Sequence, residues 1–206
     1  MSDATAENFD FVGNNICLDF VNTLHDRISS GRDDFSSYDD LVAWSRLAGI
    51  TTAGEAEQLL ARARQHPAEA ARVFKRATEQ REVIYHIFAA VAQERDPEPA
   101  DLACLSELFA DAMSRACITL HDNTFMWDWA QKETTLESLL WPVIRAAAEL
   151  LTSPDLHLAR QCAASDCTWL FLDTSKNHSR RWCDMKSCGN RTKVSKHYEK
   201  RKQKEL

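Results

Sequence analysis

The chain has 206 residues, of which 44% are hydrophobic and 27% are charged. This composition suits one or two folded domains and excludes a disordered chain. No run of about 18 apolar residues occurs, and the amino terminus lacks the basic start and apolar middle of a secretory signal, so we expect a cytoplasmic protein with no membrane partner. In that compartment, clustered cysteines hold metal more often than they form disulfides.

The net charge of −6 conceals an asymmetry between the two ends of the chain. Residues 156–206 contain 12 Lys and Arg against 5 Asp and Glu, a net charge of +7, which leaves −13 for residues 1–155. Charge differences of this kind indicate where partners bind. We therefore expect an anionic partner at the basic end, because the acidic remainder would repel nucleic acid.

The segment ICLDFVNTLHDR, residues 16–27, is compatible with two structures. Apolar residues at positions 16, 20 and 24 fit one face of a helix, whereas those at 16, 18 and 20 fit a strand, and we favour the helix. The segment also carries a group of polar residues, which are Asp19, Asn22, Thr23, Asp26 and Arg27. These side chains either tie down neighbouring loops, as most buried polar side chains do and as we favour, or frame a small-molecule site.

The pattern of apolar residues predicts further helices over residues 40–47, 53–63, 67–94 and 99–115. Gly49 should end the first of them. Thr52 and Glu55 have the spacing of a capping box at the start of the second. Pro67 suits the first position of the third, where its missing N–H has no partner to lose.

The hydrophobic period changes to two over residues 117–130, and the polar sequence HDNT separates the two halves, which predicts a β-hairpin. A further helix over about residues 135–151 should bend at Pro142, because proline cannot donate an interior backbone hydrogen bond. The sequence SPD at residues 153–155 is the one plausible boundary. We expect a helical domain over residues 1–155, which could sense a small ligand, and a basic module over residues 156–206.

The basic module contains the pattern Cys162-x4-Cys167-x15-Cys183-x4-Cys188. Two cysteine pairs separated by a short loop are typical of a structural zinc site, because each pair supplies two thiolates from one turn. So charged a segment buries too little apolar surface to fold alone, whereas structural zinc contributes on the order of 10 kcal/mol. A redox switch and an iron–sulfur cluster are the alternatives. Four thiolates leave no open position for a catalytic water.

The residues between the cysteine pairs predict a strand over 169–173, a turn, and a returning strand at RRW (180–182), followed by a final helix. Alternation along the first strand should bury the hairpin on both sides, with one side on the helical body. Val194 and Tyr198 of the final helix could pack onto the hairpin. The predicted fold is thus mainly α with a small β-hairpin, in which a helical amino-terminal domain precedes a treble-clef-like zinc finger of hairpin and helix.

The cations of the module surround the cysteines and continue along the final helix, which favours nucleic-acid binding over an ordinary solvated surface. The candidate phosphate contacts are Arg180, Arg181, Lys186, Arg191, Lys193, Lys196, Lys200 and Arg201. Asn190 and Arg191 could also reach base edges, although a local cap explains Asn190 at least as well. A zinc tetrathiolate would reduce the net charge of the module from +7 to +5, and about five neutralised phosphates give a slope of log K against log salt near −4 to −5.

Several segments of the chain resemble a known family. The spacing CxxxxC, the segments WLFLDTSKN and RRWCDMKSCGNR, and the basic tail resemble the CGNR zinc-finger proteins, whose name-giving tetrapeptide is Cys188-Gly189-Asn190-Arg191. The segments ICLDFVNTLHDR and LWPVIRAAAELL resemble the ABATE domain of stress-induced bacterial transcription regulators. The resemblance implies DNA binding by the finger and a role in transcription regulation and the stress response.

An RNA-binding or protein-docking adaptor with a purely structural zinc module is the alternative. No nucleophile elbow, phosphate-binding glycine loop or dinucleotide fingerprint occurs, so we do not expect an enzyme. A single finger binds a short DNA site weakly, which leads us to expect a homodimer, and the helical domain leaves room for a small-molecule effector.

Overall fold

The computed structural model describes residues 9–25, 27–28, 31–130 and 135–194. The helices are α1 (Ile16–Val21), α2 (Tyr38–Leu47), α3 (Ala53–Gln65), α4 (Pro67–Ala92), α5 (Pro99–Met113) and α6 (Trp141–Leu151). The strands form two antiparallel hairpins, β1 (Ala116–His121) with β2 (Thr124–Trp129) and β3 (Ala159–Gln161) with β4 (Leu170–Leu172). The predicted fold class is confirmed. In the described part of the chain, no helix has the length and apolar character needed to cross a bilayer.

The short helix α1 lies at the centre of the helical body. It packs against α4, α6 and β4, and its Cys17, Leu18 and Val21 are inaccessible to solvent. The helix is shorter than the predicted segment, since it ends at Val21 and Leu24 forms an isolated β-bridge with Asp33. The polar residues that follow Val21 therefore do not share a helical face with Asp19.

Local sequence signals determine where several helices begin and end. The Thr52 hydroxyl accepts a hydrogen bond from the Glu55 N–H, and the Glu55 carboxylate accepts one from the Thr52 N–H, so the predicted capping box is present. Gly49 follows α2 with a φ of 72°, a conformation that favours glycine. Pro67 lies in the first turn of α4, as predicted.

The predicted bend at Pro142 is wrong. Helix α6 begins only at Trp141, after a 3₁₀ turn over Ser138–Leu140. Pro142 thus occupies the first turn of α6, where the backbone N–H groups have no partner within the helix. Proline therefore helps to start this helix and does not interrupt it.

The hairpin of β1 and β2 confirms the prediction from the period of two. Asp122 and Asn123 form its turn with φ values of 47° and 60°, as a tight type I′ turn requires at both central positions. One face carries Ile118 and Leu120 opposite Trp127 and Phe125. Phe125 is 75% exposed and Ile118 is 66% exposed, so this apolar face is turned to solvent.

The second hairpin differs from the prediction in the partner of its main strand. Strand β4 pairs with β3, with Ala159 opposite Leu172 and Gln161 opposite Leu170. The segment RRW does not form the expected returning strand, because the edge of β4 that faces away from β3 is taken by the amino-terminal segment. There the Leu172 N–H donates to the Gly13 carbonyl at 2.9 Å.

Strand β4 is buried on both faces, as predicted. Leu170 and Leu172 lie in the core of the helical body. Trp169 and Phe171 point the other way and pack with the four cysteines in a second, smaller cluster.

The side chain of Asn22 fastens the helical body to β4. Its amide nitrogen donates to the Leu170 carbonyl at 2.8 Å, and its amide oxygen accepts from the Leu170 N–H at 2.9 Å. Both groups are buried. Asn22 therefore acts as a substitute for a neighbouring strand at a position where no strand is present.

We expect Asn22→Ala to lower the free energy of unfolding by about 2–4 kcal/mol, because it leaves a buried N–H and a buried carbonyl of Leu170 unpaired. Urea denaturation of the purified chain measures the change. Asn14→Gly is the matched control, since Asn14 donates to the Leu172 carbonyl at 3.0 Å from a partly exposed position and glycine tolerates the φ of 59° at this residue. A loss no larger than that of the control would contradict the role assigned to Asn22.

Candidate metal centre

The four cysteines of the basic module converge on one point. Cys162 follows β3 and Cys167 precedes β4, so the hairpin carries the first pair at its connection. Cys183 lies in the loop after β4, and Cys188 lies in a π-helical turn over Met185–Gly189 that leads into a helical segment at residues 190–194. All four side chains are buried, and none of them is in a disulfide.

The sulfur positions fit a tetrahedral zinc site. All four Sγ atoms lie within 4.8 Å of one another. The Cys167 and Cys183 sulfurs are 3.8 Å apart, and those of Cys183 and Cys188 are 3.5 Å apart. A tetrahedron with Zn–S bonds of about 2.3 Å has sulfur atoms about 3.8 Å apart. The donor set therefore suits a structural Zn²⁺, and its four thiolates would complete the coordination sphere.

The thiols hold their protons unequally before a metal binds. Hydrogen bonds from Cys167 and Cys183 lower the pKa of Cys162. The hydrogen bond to Cys162 raises the pKa of Cys167 to about 12, and the contacts with Cys162 and Cys167 raise the pKa of Cys183 well above its usual range. A bound dication favours the thiolate form of each sulfur. Zinc binding must therefore displace the protons of Cys167 and Cys183.

Arg191 joins the two cysteine pairs from outside. Its guanidinium donates to the Cys188 sulfur at 3.2 Å and pairs with Asp166, between Cys162 and Cys167, at 2.8 Å. Groups that hydrogen bond to metal ligands fix their orientation and tune the site. The predicted phosphate contact Arg191 is thus engaged within the metal centre.

Arg180 also has internal partners. Its guanidinium donates to the carbonyls of Val12 at 3.0 Å, of Trp182 at 3.0 Å and of Cys183, and it lies 4.2 Å above the centre of the Phe171 ring. These contacts join the loop before Cys183 to the amino-terminal segment. The structure therefore places Arg180 at the junction of module and body and not on the open surface.

Sequence reasoning missed Asp173, which organises the same loop. Its fully buried carboxylate accepts hydrogen bonds from the Ser175 N–H and hydroxyl and from the Arg180 N–H at 2.8 Å. The spacing of an Asp two residues before a Ser is a known signal for such a turn. Asp173 thereby holds Arg180 in position.

The other predicted contact residues are distributed differently. Arg181, Lys186 and Lys193 are exposed. The Asn190 amide donates to the Lys186 carbonyl at 3.1 Å, the local cap considered from the sequence. Val194 is 55% exposed and does not pack onto the hairpin as expected. Lys196, Tyr198, Lys200 and Arg201 lie outside the described residues.

The polar residues near α1 bind to the protein itself. The Asp19 carboxylate accepts from the Gly13 N–H at 2.7 Å, and the Thr23 hydroxyl donates to the Phe20 carbonyl and accepts from Arg81. Arg27 donates to Glu82 at 2.9 Å and lies 3.8 Å above the Tyr85 ring. Burial raises the pKa of Asp19 to about 6, against the effect of the Gly13 and Val12 N–H groups and of Arg180. Asp26 lies outside the described residues.

Zinc binding should depend steeply on pH. Since the protons of Cys167 and Cys183 must leave, we expect at least two protons released per zinc and an affinity that falls about a hundredfold for each unit of pH lowered between 8 and 6. Competition with a chromophoric chelator at several pH values measures this slope. An affinity independent of pH would contradict the proposed thiolate ligands.

Two variants control this measurement. Cys183→Ser should abolish stoichiometric zinc, because three thiolates and a hydroxyl leave the site incomplete. Cys117→Ser should bind zinc normally, since Cys117 lies in β1 of the first hairpin, outside the four-cysteine group.

Comparisons with known proteins agree with this geometry. A family model named ABATE, described as "Putative stress-induced transcription regulator", matches residues 14–154. A second model, described as "CGNR zinc finger", matches residues 159–201 and so includes the four cysteines. No match was found among the curated proteins compared with the chain. The chain therefore belongs to the ABATE family and carries a carboxy-terminal CGNR zinc finger that holds a structural zinc ion.

Proposed function

We propose that this zinc-binding protein is a transcription regulator that binds double-stranded DNA through its zinc finger. The family description supports a regulatory role. The observation that carries the proposal is the separation of charge, with +7 on residues 156–206 and −13 on the rest. Even with the two negative charges of a zinc tetrathiolate, the finger remains cationic, and a polyanion is its complement.

Three of the exposed cations of the finger form the proposed contact surface among the described residues, namely Arg181, Lys186 and Lys193. Arg181 precedes Cys183, whereas Lys186 and Lys193 flank Cys188, so the metal fixes the backbone that carries all three. Lys196, Lys200 and Arg201 continue this composition beyond the described residues. Arg180 donates to backbone carbonyls at the junction, and the half-exposed Arg191 is paired with Asp166 and donates to the Cys188 sulfur. We therefore propose that both support the surface and do not contact phosphate.

Catalysis is not part of the proposal, since both matching families are described as regulators or zinc fingers. A protein that binds the chromosome acts where the DNA is, so the proposal includes a cytoplasmic location in a bacterial cell. A small-molecule effector also remains part of the proposal. A cavity of about 660 Å³ between the first hairpin, α6 and the beginning of α3 supports it better than do the polar residues near α1, which bind to the protein itself.

We expect binding to duplex DNA with a slope of log K against log salt of about −4 to −5. The triple variant Arg181→Gln, Lys186→Gln, Lys193→Gln should reduce the magnitude of this slope by about three, because each neutralised phosphate contributes about 0.9. Fluorescence anisotropy with a labelled duplex at 50 to 200 mM salt measures both values.

The control is Lys75→Gln, which removes an exposed cation on α4 that pairs only loosely with Glu79 at 3.7 Å. It should leave the slope unchanged. An unchanged slope in the triple variant would contradict the proposed surface. Equal affinity for single-stranded RNA and duplex DNA would favour the adaptor interpretation instead.

We propose that the homodimer forms through the apolar face of the first hairpin. Ile118, Leu120 and Phe125 lie together there, exposed by 66%, 60% and 75%. Contiguous apolar patches of a few hundred Å² mark interaction sites. Together with Trp127, which is 49% exposed, the four apolar side chains of this face supply on the order of 500 Å² towards the roughly 800 Å² that each partner buries in a standard interface. A second copy of this chain is the partner that fits best. The face is uncharged, so two identical faces do not repel each other across a two-fold axis.

We expect Phe125→Glu to convert the dimer to a monomer, since a two-fold interface would bring the two introduced carboxylates close together. Light scattering after size-exclusion chromatography measures the mass. Leu47→Glu is the control, because Leu47 is an exposed apolar residue outside the hairpin, and it should leave the mass unchanged. A wild-type monomer at high protein concentration would contradict this proposal without bearing on DNA binding.

A further inference from the structure

The cavity of about 660 Å³ between the first hairpin, α6 and the beginning of α3 has the size of a ligand site. Sites for small molecules have volumes of about 300–1,000 Å³. The cavity is separate from the metal centre, because the described residues that line it include none of the four zinc ligands. Nor do they include the polar residues near α1.

Much of the lining consists of apolar side chains that belong to the helical core or pack against it. Leu59 and Leu139 are core residues, whereas Ile16, Ile50 and Ala146 pack against the core and remain partly accessible. Covering concave apolar surface of this kind removes it from water, which favours the binding of a hydrocarbon or aromatic body.

The first hairpin contributes mainly the face opposite to the one proposed for dimerisation. Thr119 lies opposite Met126 across the hairpin, next to the Ile118 and Phe125 positions of the exposed apolar face. Side chains alternate between the two faces along a strand, so Thr119 and Met126 point away from that apolar face. Both line the cavity, and Trp127 contributes to the cavity as well as to the exposed face.

The lining residues that can carry a positive charge are already engaged within the protein. Arg145 donates to Glu149 at 2.9 Å, and its guanidinium lies 5.4 Å from the centre of the Trp127 ring. His121 lies 3.2 Å from the Asp122 carboxylate and is exposed. A ligand anion would have to compete with these carboxylates for its counter-charge.

The other carboxylates of the lining are engaged as well. Glu55 accepts from the Thr52 N–H at 2.7 Å and from the Thr52 hydroxyl at 2.9 Å, in the capping box of α3. Asp128 accepts from the Trp129 N–H at 2.8 Å. A ligand cation would have to draw these carboxylates away from their partners, and a ligand anion would be repelled by them.

A charged ligand would thus give up its hydration in this cavity without gaining a dedicated counter-charge. Burying an ion without such a partner is costly, whereas an uncharged molecule avoids this cost and keeps the gain from covering apolar surface. The volume, the apolar lining and the pairing of the charged side chains therefore favour the same class of ligand.

We propose that the cavity binds an uncharged, predominantly apolar organic molecule. Its apolar body would lie against Ile50, Leu139 and Ala146. The proposal gives the chemical class of the effector in the proposed function, and it rests on that function for the role of the ligand. Binding itself does not depend on whether the zinc finger binds DNA.

Two fluorescent molecules with the same ring skeleton test the preference for an uncharged ligand. N-phenyl-1-naphthylamine is uncharged at neutral pH, and 8-anilino-1-naphthalenesulfonate is its sulfonated analogue. Titration of the zinc-loaded full chain should show the amine binding at least about tenfold more tightly than the sulfonate. Equal or tighter binding of the sulfonate would overturn the proposal, and so would no binding of the amine up to its solubility limit.

Duplex DNA binding is measured in the same preparation. If the duplex binds with the expected salt dependence and the amine does not bind, the ligand site is overturned and the proposal of DNA binding stands. If the amine binds and the duplex does not, the reverse holds.

Competition tests whether cations are disfavoured as well. 1-Naphthylmethanol should displace bound N-phenyl-1-naphthylamine at a concentration at least about fivefold lower than 1-naphthylmethylammonium requires. Displacement by the ammonium at an equal or lower concentration would overturn the proposed preference for an uncharged ligand.

Variants locate the site. Ala146→Phe should fill part of the cavity and weaken binding of N-phenyl-1-naphthylamine at least about tenfold. Ala110→Phe is the matched control, because Ala110 is an exposed residue of α5 outside the cavity lining, and it should leave the affinity unchanged. Wild-type affinity in folded Ala146→Phe would place binding elsewhere and overturn the assignment.

Two further variants complete the test. Thermal melts show whether each variant is folded, and if Ala146→Phe is not, Met126→Ala provides the measurement. Met126 is 52% exposed, and its truncation should weaken binding about threefold. Phe125→Glu alters only the apolar face proposed for dimerisation and should leave the affinity unchanged. Loss of binding in Phe125→Glu, or wild-type affinity in Met126→Ala, would overturn the assignment to the cavity.

Discussion

Strand β4 belongs to two hydrophobic clusters at once, and the connection between metal centre and helical body depends on this arrangement. Because side chains alternate along a strand, Leu170 and Leu172 enter the helical core while Phe171 packs with the four cysteines. The backbone of the strand is paired with β3 on one edge and with Gly13 and Asn22 on the other. The metal centre and the core of the body are therefore joined through one strand.

Two charged groups strengthen this connection. Arg180 spans the junction, with one partner in the amino-terminal segment and others beside Cys183. Asp173 holds the backbone of Arg180 from inside the loop. A buried charge of this kind is retained only where several hydrogen bonds replace its hydration. The position of the cationic surface thus depends on contacts with the body as well as on zinc.

Much of the fold follows from local signals in the sequence. The capping box of Thr52 and Glu55, the glycine at position 49 and the type I′ turn of the first hairpin act through the backbone of adjacent residues, so their effects can be read without knowing the tertiary structure. The zinc site follows from the same logic, because a tetrahedral ion needs two cysteine pairs and the spacing supplies them. The prediction of a bend at Pro142 was wrong, because the effect of a proline depends on its distance from the start of the helix. The periodicity of apolar residues does not locate the start of α6 accurately.

The sequence by itself determined the family, the four cysteine ligands and the separation of acidic body from basic finger, because each of these depends on residue identity and spacing. Only the tertiary structure decided what individual polar residues do. Arg180 and Arg191 look like free cations in the sequence, yet both bind partners distant along the chain, Val12 and Asp166. The partner of β4 and the large cavity under the first hairpin were likewise decided by contacts between segments far apart in sequence. Such contacts depend on which surfaces meet when the chain packs. A local pattern of residues in the sequence therefore does not predict them.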